Sequence, residues 1–152
     1  MARFVPRRRP SSGVIIARDH ATIVFVTVCS DGKTQRLSNP AIHEALLNAW
    51  HAADAWIVGA YVIMPDHIHF FCSPVDENVE IEAWITFWKR QFRRFAGAQA
   101  PKLQAGSFHH RLRQDESYAN KWEYVRANPV RAGLAARPED WPYAGVVKEL
   151  RL

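Results

Sequence analysis

The chain has 152 residues, of which 48% are hydrophobic and 23% are charged, so it can bury the core of one compact domain. Lysine and arginine outnumber aspartate and glutamate by 20 to 15, which gives a formal net charge of +5 and a pI near 9.6. This charge favours a polyanionic partner, although many basic proteins bind no nucleic acid. No apolar run reaches the roughly 18 residues that a membrane-spanning helix needs, so we expect no membrane partner.

The cysteines and the N-terminus indicate the cellular compartment of the protein. Cys29 and Cys72 each lie in an apolar run, and we interpret them as buried thiols in a reducing compartment. The basic N-terminus is not followed by a signal-type apolar stretch. We therefore expect a cytoplasmic protein.

The domain organisation follows from the charge and proline pattern at the N-terminus. Residues 1–13 predict a basic arm that carries Arg7, Arg8 and Arg9, and residues 14–152 predict a single domain. Two interpretations of the arm stay open, a solvated tail or a segment that contacts phosphates.

The first half of the domain predicts three strands and one helix. A run of β-branched residues predicts a strand over 22–30. Asn39, as an N-cap followed by proline, predicts a helix over 39–54. Two more strands are predicted over 55–65 and 67–74, joined by a tight turn.

The second half predicts two helices around a short edge strand. Apolar residues at helical spacing predict a helix over 81–96, and an edge strand is predicted over 108–113. A third helix is predicted over 115–128, because the residue before Pro129 disfavours helical angles. This order indicates an α+β, ferredoxin-like βαββαβ fold with an additional C-terminal helix. In such a fold the helices cover one face of an antiparallel sheet, and the other face is free to hold a site.

Two histidines stand two residues apart in the predicted strand 67–74. Residues i and i+2 of a strand project from the same face, so His67 and His69 are expected to point together. They could be a pair of metal ligands or two satisfied core histidines. A catalytic cation would need at least one more protein ligand.

The third predicted helix offers that ligand. Tyr124 and Asn128 are four residues apart and share a helix face, and an asparagine oxygen suits Mg²⁺ or Mn²⁺. Alternatively, Tyr124 is a core aromatic and Asn128 a helix C-cap. Tyr118 is a rival nucleophile, but it lies roughly on the opposite side of the helix.

Basic residues follow the second and third predicted helices. Phosphate contacts from such residues would give affinity and a steep dependence on salt. The candidate contacts are Lys89, Arg90, Arg93, Arg94, Arg111, Arg113 and Lys121, with Arg126 and Arg131 adding charge near the proposed site. Aromatic residues make up 12% of the chain and could stack unpaired bases. The alternative is a solvated helix face and an ordinary core.

Two blocks of the sequence resemble a known family. The segment "AYVIMPDHIHFFCSP" resembles the histidine–hydrophobe–histidine motif of the HUH single-stranded DNA transposases. The segment "KWEYVRANPVRAGLA", followed by "DWPY", resembles the C-terminal signature of their REP-associated tyrosine transposase branch. With the first strand and both helices, the resemblance covers most of residues 20–145, and the two blocks together are highly specific.

The resemblance implies a role for each matching residue. His67 and His69 match the family's metal-binding histidines, and Asn128 stands where the family has its third ligand for Mg²⁺ or Mn²⁺. Tyr124 matches the single catalytic tyrosine, which makes the additional C-terminal helix the catalytic one. The implied function is that of a metal-dependent single-stranded DNA endonuclease and strand transferase, acting at repeat (REP-like) hairpins through a 5′-phosphotyrosine intermediate. The expected partner is single-stranded DNA with such a hairpin, bound by a monomer or a homodimer.

Other interpretations stay open. His109 stands where the family often has an acidic residue, and His109 and His110 could tune the site, contact phosphate or do neither. A second functional hypothesis is a non-catalytic, host-adapted nucleic-acid-binding module that recognises repeat hairpins. A third, weaker one is a small metallohydrolase that uses the histidine pair.

Overall fold

The computed structural model describes residues 22–32, 36–113 and 117–150 of the chain. The predicted basic arm over 1–13, with its candidate contacts Arg7, Arg8 and Arg9, lies outside these residues. Within the described residues, none of the helices combines the length and the apolar character that crossing a bilayer requires.

Five antiparallel strands form one sheet. The strands are β1 (Val24–Cys29), β2 (Trp56–Ile63), β3 (His67–Pro74), β4 (Phe108–Arg111) and β5 (Ala144–Val146). Their spatial order is β4-β1-β3-β2-β5. The first four follow the ferredoxin-like arrangement, so the predicted fold is confirmed, and β5 extends the sheet beyond β2.

Two helices, α1 (Pro40–Ala52) and α2 (Ile81–Ala96), cover one face of the sheet. Helix α1 begins as predicted, because the side chain of Asn39 accepts a hydrogen bond from the backbone N–H of Ile42 at 2.9 Å. Between this layer and the sheet lies a core rich in large aromatic side chains, including Trp84, Trp88 and Phe70. The apolar residues of α2 recur at helical spacing, and their burial accounts for the position of the helix.

The third helix, α3 (Tyr118–Arg126), packs on the other face, which is therefore only partly open. The hydroxyl of Tyr118 accepts a hydrogen bond from the backbone N–H of Ala60 in β2 at 3.0 Å. The Tyr118 ring packs edge-on against Phe71 of β3, with 4.9 Å between the ring centroids. Val125 is buried in the same small cluster. These contacts fix which side of α3 faces the sheet.

The C-terminal third differs from the sequence prediction in two ways. The helix predicted over 115–128 is two helices, α3 and the short α4 (Asn128–Arg131), with Ala127 between them. Pro129 lies in the first turn of α4, where its missing N–H costs no helical hydrogen bond, so proline starts a helix here as well as ending one. Strand β5 is too short and too rich in glycine and alanine to be predicted from its own sequence.

Candidate functional site

Strand β3 places the histidine pair on the face of the sheet opposite α1 and α2. Ile68 and Phe70 are fully buried in the core beneath those helices, and His67 and His69 alternate with them. The two imidazole rings are close together, with centroids 4.6 Å apart. Both side chains are only partly buried. The side chains of His67 and His69 therefore point to the same side of the sheet, as the period of a strand predicts.

The Nδ1 atom of each histidine already has a partner. His67 Nδ1 donates a hydrogen bond to a carboxylate oxygen of Asp66 at 2.7 Å. His69 Nδ1 shares a hydrogen bond with the hydroxyl of Thr27 at 2.8 Å. Metal-binding histidines are commonly oriented by such a bond from one ring nitrogen, which leaves the other to bind the metal. The Nε2 atoms of His67 and His69 are thus the atoms that could hold a cation.

His69 is neutral at physiological pH. Burial, with additional effects from the positive charges of His67, Lys121 and Arg131, lowers the pKa of His69 to about 4. A histidine must be neutral to bind a metal, so no proton has to be displaced from His69 near pH 7. The environment of this ring therefore suits a ligand.

Tyr124 lies on the solvent-facing side of α3, and 64% of its surface is exposed. The guanidinium of Arg131 stands over the Tyr124 ring, 4.2 Å from the ring centroid. The same guanidinium donates a hydrogen bond to the side-chain oxygen of Asn128. The structure thus brings together Tyr124 and Asn128 through Arg131, although the two lie on successive helices.

The rival nucleophile is directed elsewhere. Tyr118 points from α3 into the sheet, where it receives the hydrogen bond from Ala60. Burial raises the pKa of Tyr118, and the hydrogen bond from Ala60 acts in the opposite direction. The opposite orientations of Tyr118 and Tyr124 agree with their six-residue separation.

Two positively charged side chains, from the helices that carry or follow Tyr124, act on the histidine pair. The charges of Lys121 on α3 and Arg131 on α4 both act on His69, which indicates that these helices approach the histidine pair. Lys121 Nζ lies 5.4 Å from the centroid of the Phe25 ring, and Phe25 stacks against His69 with 5.3 Å between centroids. Developing negative charge between Tyr124 and the histidine pair would be stabilised here.

The described residues contain no group of three or more His, Cys, Asp or Glu side chains arranged to hold a metal ion. A cation at the histidine pair would thus rely on an oxygen from another kind of residue, and the amide oxygen of Asn128 is the predicted one. Two imidazole nitrogens and one amide oxygen suit Mn²⁺ or Mg²⁺ in chemical type. This ligand set stays a prediction.

The predicted DNA contacts on α2 divide into two groups. Arg90, Arg93 and Arg94 are exposed, and they lie in the layer opposite the histidine pair. Lys89 is different, because it is 8% exposed and its ammonium donates hydrogen bonds to the backbone oxygens of Gln104 and Gly106. Burial, with a smaller effect of Arg93, lowers the pKa of Lys89. Lys89 therefore has a structural role in holding the loop before β4, which the sequence prediction missed.

The remaining predicted contacts lie nearer the sheet. Arg111 at the end of β4 and Lys121 on α3 are partly buried, and Arg113 is exposed. Of these, Lys121 is the one that the structure brings to the histidine pair, through its charge on His69 and its position over Phe25.

Sequence reasoning missed two residues that act on the site, Asp66 and Thr27, and it named Arg131 only as a nearby charge. Asp66 had a visible signal, because it directly precedes His67 in the motif. Arg131 follows Asn128 by three residues, a spacing that places side chains together on a helix. Thr27 had no local signal, since only the pairing of β1 with β3 places it opposite His69.

The "DWPY" block is hydrogen-bonded to β2 beside the site. Trp141 Nε1 donates a hydrogen bond to the backbone oxygen of Ile63 at 3.0 Å. The backbone N–H of Ile63 donates to the backbone oxygen of Tyr143 at 2.8 Å. This block therefore supports the end of β2, just before the turn that leads to His67.

Two curated proteins are similar to this chain. One, from Haemophilus influenzae, is named "Putative REP-associated tyrosine transposase" and is 28% identical over 109 residues, covering 60% of this chain and 60% of that protein. The other is the "REP-associated tyrosine transposase" of Escherichia coli, 24% identical over 87 residues, covering 57% of this chain and 52% of that protein. The chain thus spans between half and two thirds of the length of these relatives.

A solved structure shares the fold. It is described as a REP-associated tyrosine transposase bound to a REP hairpin, and it matches with a TM-score of 0.66 and 21% sequence identity. The match covers 81% of this chain and 75% of that one. No protein-family model matches the chain. The resemblance predicted from the histidine and tyrosine blocks is confirmed, since the curated homologues and this structural neighbour are named as REP-associated tyrosine transposases.

Proposed function

We propose that this chain is a REP-associated tyrosine transposase that cleaves and joins single-stranded DNA at repeat hairpins through Tyr124. The observation that carries the proposal is the position of Tyr124, exposed on α3 under Arg131, on the side of the sheet that holds the histidine pair. Its homologues carry the same family name, and the structural neighbour is described as bound to a REP hairpin.

The reaction uses the phenol oxygen of Tyr124 as the nucleophile. That oxygen attacks the scissile phosphorus, the bond between phosphorus and the 3′-oxygen breaks, and the phenol proton is lost while the leaving 3′-oxygen gains one. The products are a 5′-phosphotyrosine and a free 3′-hydroxyl. Since a phosphodiester is kept, a second 3′-hydroxyl can reverse the step and join two strands. Arg131, fixed between Tyr124 and Asn128, holds a positive charge where the phosphate would lie.

His67, His69 and Asn128 would hold Mg²⁺ or Mn²⁺ in this proposal. Such a cation, when bound, offsets the charge that develops on the phosphate oxygens. The chain's own contribution is to orient the ligands. Asp66 and Thr27 engage the Nδ1 atoms of the two histidines, so that both Nε2 atoms are left for the cation.

An oligonucleotide adduct assay tests this function. A hairpin from the repeats that flank the chain's own gene, with single-stranded flanks, is incubated with protein and Mg²⁺ or Mn²⁺ and analysed on a denaturing gel. We expect a covalent adduct that Tyr124→Phe and EDTA abolish. Tyr118→Phe is the matched control, because Tyr118 lies on the same helix but faces the sheet, and it should keep the adduct.

The outcomes separate the competing functions. If the wild type forms no adduct, or Tyr124→Phe forms as much as the wild type, the transposase proposal fails. Hairpin binding without any adduct would support a non-catalytic nucleic-acid-binding module. Release of phosphate from small esters without a DNA adduct would support a metallohydrolase.

A further inference from the structure

The edge strand β4 holds an aromatic side chain in solvent. Phe108 is 72% exposed, more than any other large hydrophobic residue that the structure describes, and Tyr124 at 64% comes next. Leaving a phenylalanine ring in water forgoes the favourable free energy of its burial. Single exposed apolar side chains are common on protein surfaces, so the meaning of this one depends on the groups around it.

The pairing of the strands places Phe108 on the same face as the histidine pair. Phe108 lies opposite Thr27 in β1, and Thr27 lies opposite His69 in β3. Residues that pair across strands project from the same face, so the three form one row across the sheet. Since neighbouring strands are about 4.8 Å apart, Phe108 is about 10 Å from His69 along this row. A nucleotide next to a phosphate held at the histidines could reach it.

A second aromatic row lines the same cleft. His110, two residues after Phe108, packs against Phe25 with 5.7 Å between ring centroids. Phe25 in turn stacks on His69. A cleft of about 400 Å³ lies at the β4 edge, and it is lined by Phe25, Thr27, Glu82, Ser107, Phe108, His109 and His110. The cleft therefore has a largely aromatic lining, and Phe25 connects it to His69 of the proposed metal ligands.

The charges around the cleft fit a polyanion better than an apolar protein partner. Lys121 stands over Phe25, and Arg131 acts on His69 from α4. Glu82 also borders the cleft, but it comes from α2 on the other side of the sheet and its charge acts on His109. An aromatic ring with cations beside it is the usual combination for binding unpaired nucleotides.

We propose that Phe108, supported by His110, stacks an unpaired nucleobase close to the phosphate at the histidine pair. The proposal rests on the proposed function, because it assigns part of the single-stranded DNA to a named surface. Both His109 and His110 border the cleft, His110 on the side of the histidine pair and His109 on the side of α2. His109 Nδ1 shares a hydrogen bond with the hydroxyl of Ser107 at 3.3 Å.

The test compares two strands of equal charge. Oligothymidylate and an abasic strand of the same length carry the same phosphates, and only the first can stack. Binding is measured by fluorescence anisotropy, with Tyr124→Phe in every protein so that no covalent adduct forms. Phe108→Ala should weaken oligothymidylate binding by about 5- to 150-fold, because stacking on one aromatic side chain contributes about 1–3 kcal/mol. It should leave binding of the abasic strand unchanged, and Phe108→Trp should retain the preference for bases.

The matched control is Phe95→Ala. Phe95 is also exposed, at 46%, but lies on α2 in the opposite layer, so its removal should change neither affinity. Equal losses from Phe108→Ala and Phe95→Ala, an equal loss for both strands, or no binding of oligothymidylate would each overturn the stacking proposal.

The two proposals fail in different ways. A Phe108-dependent preference for bases without any adduct in the hairpin assay would retain the stacking surface and remove the transposase activity. An adduct that forms equally well with Phe108→Ala, at unchanged affinity, would retain the transposase and remove the stacking surface.

Discussion

At the scale of single residues, the histidine pair depends on hydrogen bonds that fix its two rings. Asp66 and Thr27 each engage one Nδ1 atom, and they come from the turn before β3 and from the neighbouring strand. Strand periodicity explains why His67 and His69 point together. Only the register of β1 against β3 explains why Thr27, rather than Phe25 or Cys29, lies directly opposite His69.

The lowered pKa of His69 predicts how the stability of the metal-free protein depends on pH. The pKa is about 4 in the folded protein against an ordinary 6.5, so between these values the unfolded chain binds more protons. The free energy of unfolding should therefore fall as the pH is lowered from 6.5 to 4 and receive no further contribution from His69 below that. Urea unfolding in EDTA at several pH values measures this.

Replacing the His69 ring isolates its contribution to the pH dependence of the free energy of unfolding. In His69→Gln, the loss of stability between pH 6.5 and 4 should shrink by on the order of 1–3 kcal/mol. The wild-type protein, measured under the same conditions, is the reference. An unchanged profile in His69→Gln would contradict the assignment of this shift to His69.

At the scale of elements, α3 separates its two tyrosines by function and by environment. One side of the helix fastens to the sheet through Tyr118 and Val125, and the other presents Tyr124. The helical period predicted this separation from the sequence. The break at Ala127 was not predicted, because a proline in the first turn of a new helix and a proline that ends a helix have the same local sequence.

The two tyrosines should have opposite effects when changed to phenylalanine. Tyr118→Phe removes the acceptor of the Ala60 N–H, so it should lower the free energy of unfolding by about 1–3 kcal/mol while keeping the DNA adduct. Tyr124→Phe should leave stability within about 0.5 kcal/mol, since the hydroxyl is exposed, and abolish the adduct. Urea denaturation and the adduct assay on both variants measure this, and a shared phenotype would contradict the assignment.

Helix α2 holds the loop before β4 through Lys89. In Lys89→Met, the ammonium that binds the oxygens of Gln104 and Gly106 is lost, so the loop should open more often. We expect amide hydrogen exchange at Gln104, whose N–H donates to the backbone oxygen of Cys29, to become about fivefold faster, matching the loss of about 1 kcal/mol. Arg94→Met, an exposed neighbour, should leave that exchange rate unchanged, and equal rates in all three proteins would refute the structural role of Lys89.

At the scale of the whole molecule, the positive charge is distributed over both sides of the sheet. Lys121 and Arg131 lie near the histidine pair, and Arg90, Arg93 and Arg94 lie in the opposite layer. A strand bound by both groups would have to pass around an edge of the sheet. The composition alone revealed the net charge of +5 but not this division.

Salt dependence decides whether the α2 arginines contact DNA. For single strands, the logarithm of the binding constant falls with the logarithm of salt concentration by about 0.7 per phosphate contact. Changing Arg90, Arg93 and Arg94 together to glutamine should reduce the slope by about 2 if all three contact phosphates. An unchanged slope for hairpin binding would mean that this surface is merely solvated.

The sequence by itself determined the order of the elements from β1 to α3, the common direction of His67 and His69, and the opposite directions of Tyr118 and Tyr124. These features depend on periods of 2 and 3.6 residues, which are properties of the local backbone. It also carried the resemblance to REP-associated tyrosine transposases, because the two blocks that resemble the family lie within short stretches of chain.

The tertiary structure alone decided which residues surround those side chains. Thr27 beside His69, Phe108 in the same row, and Lys89 directed at the loop before β4 all result from strand register and helix docking. Such contacts join residues that are far apart in sequence, so no local pattern encodes them. The same limit applies to β5, which pairs with β2 because the "DWPY" block holds it there and not because of its own residues.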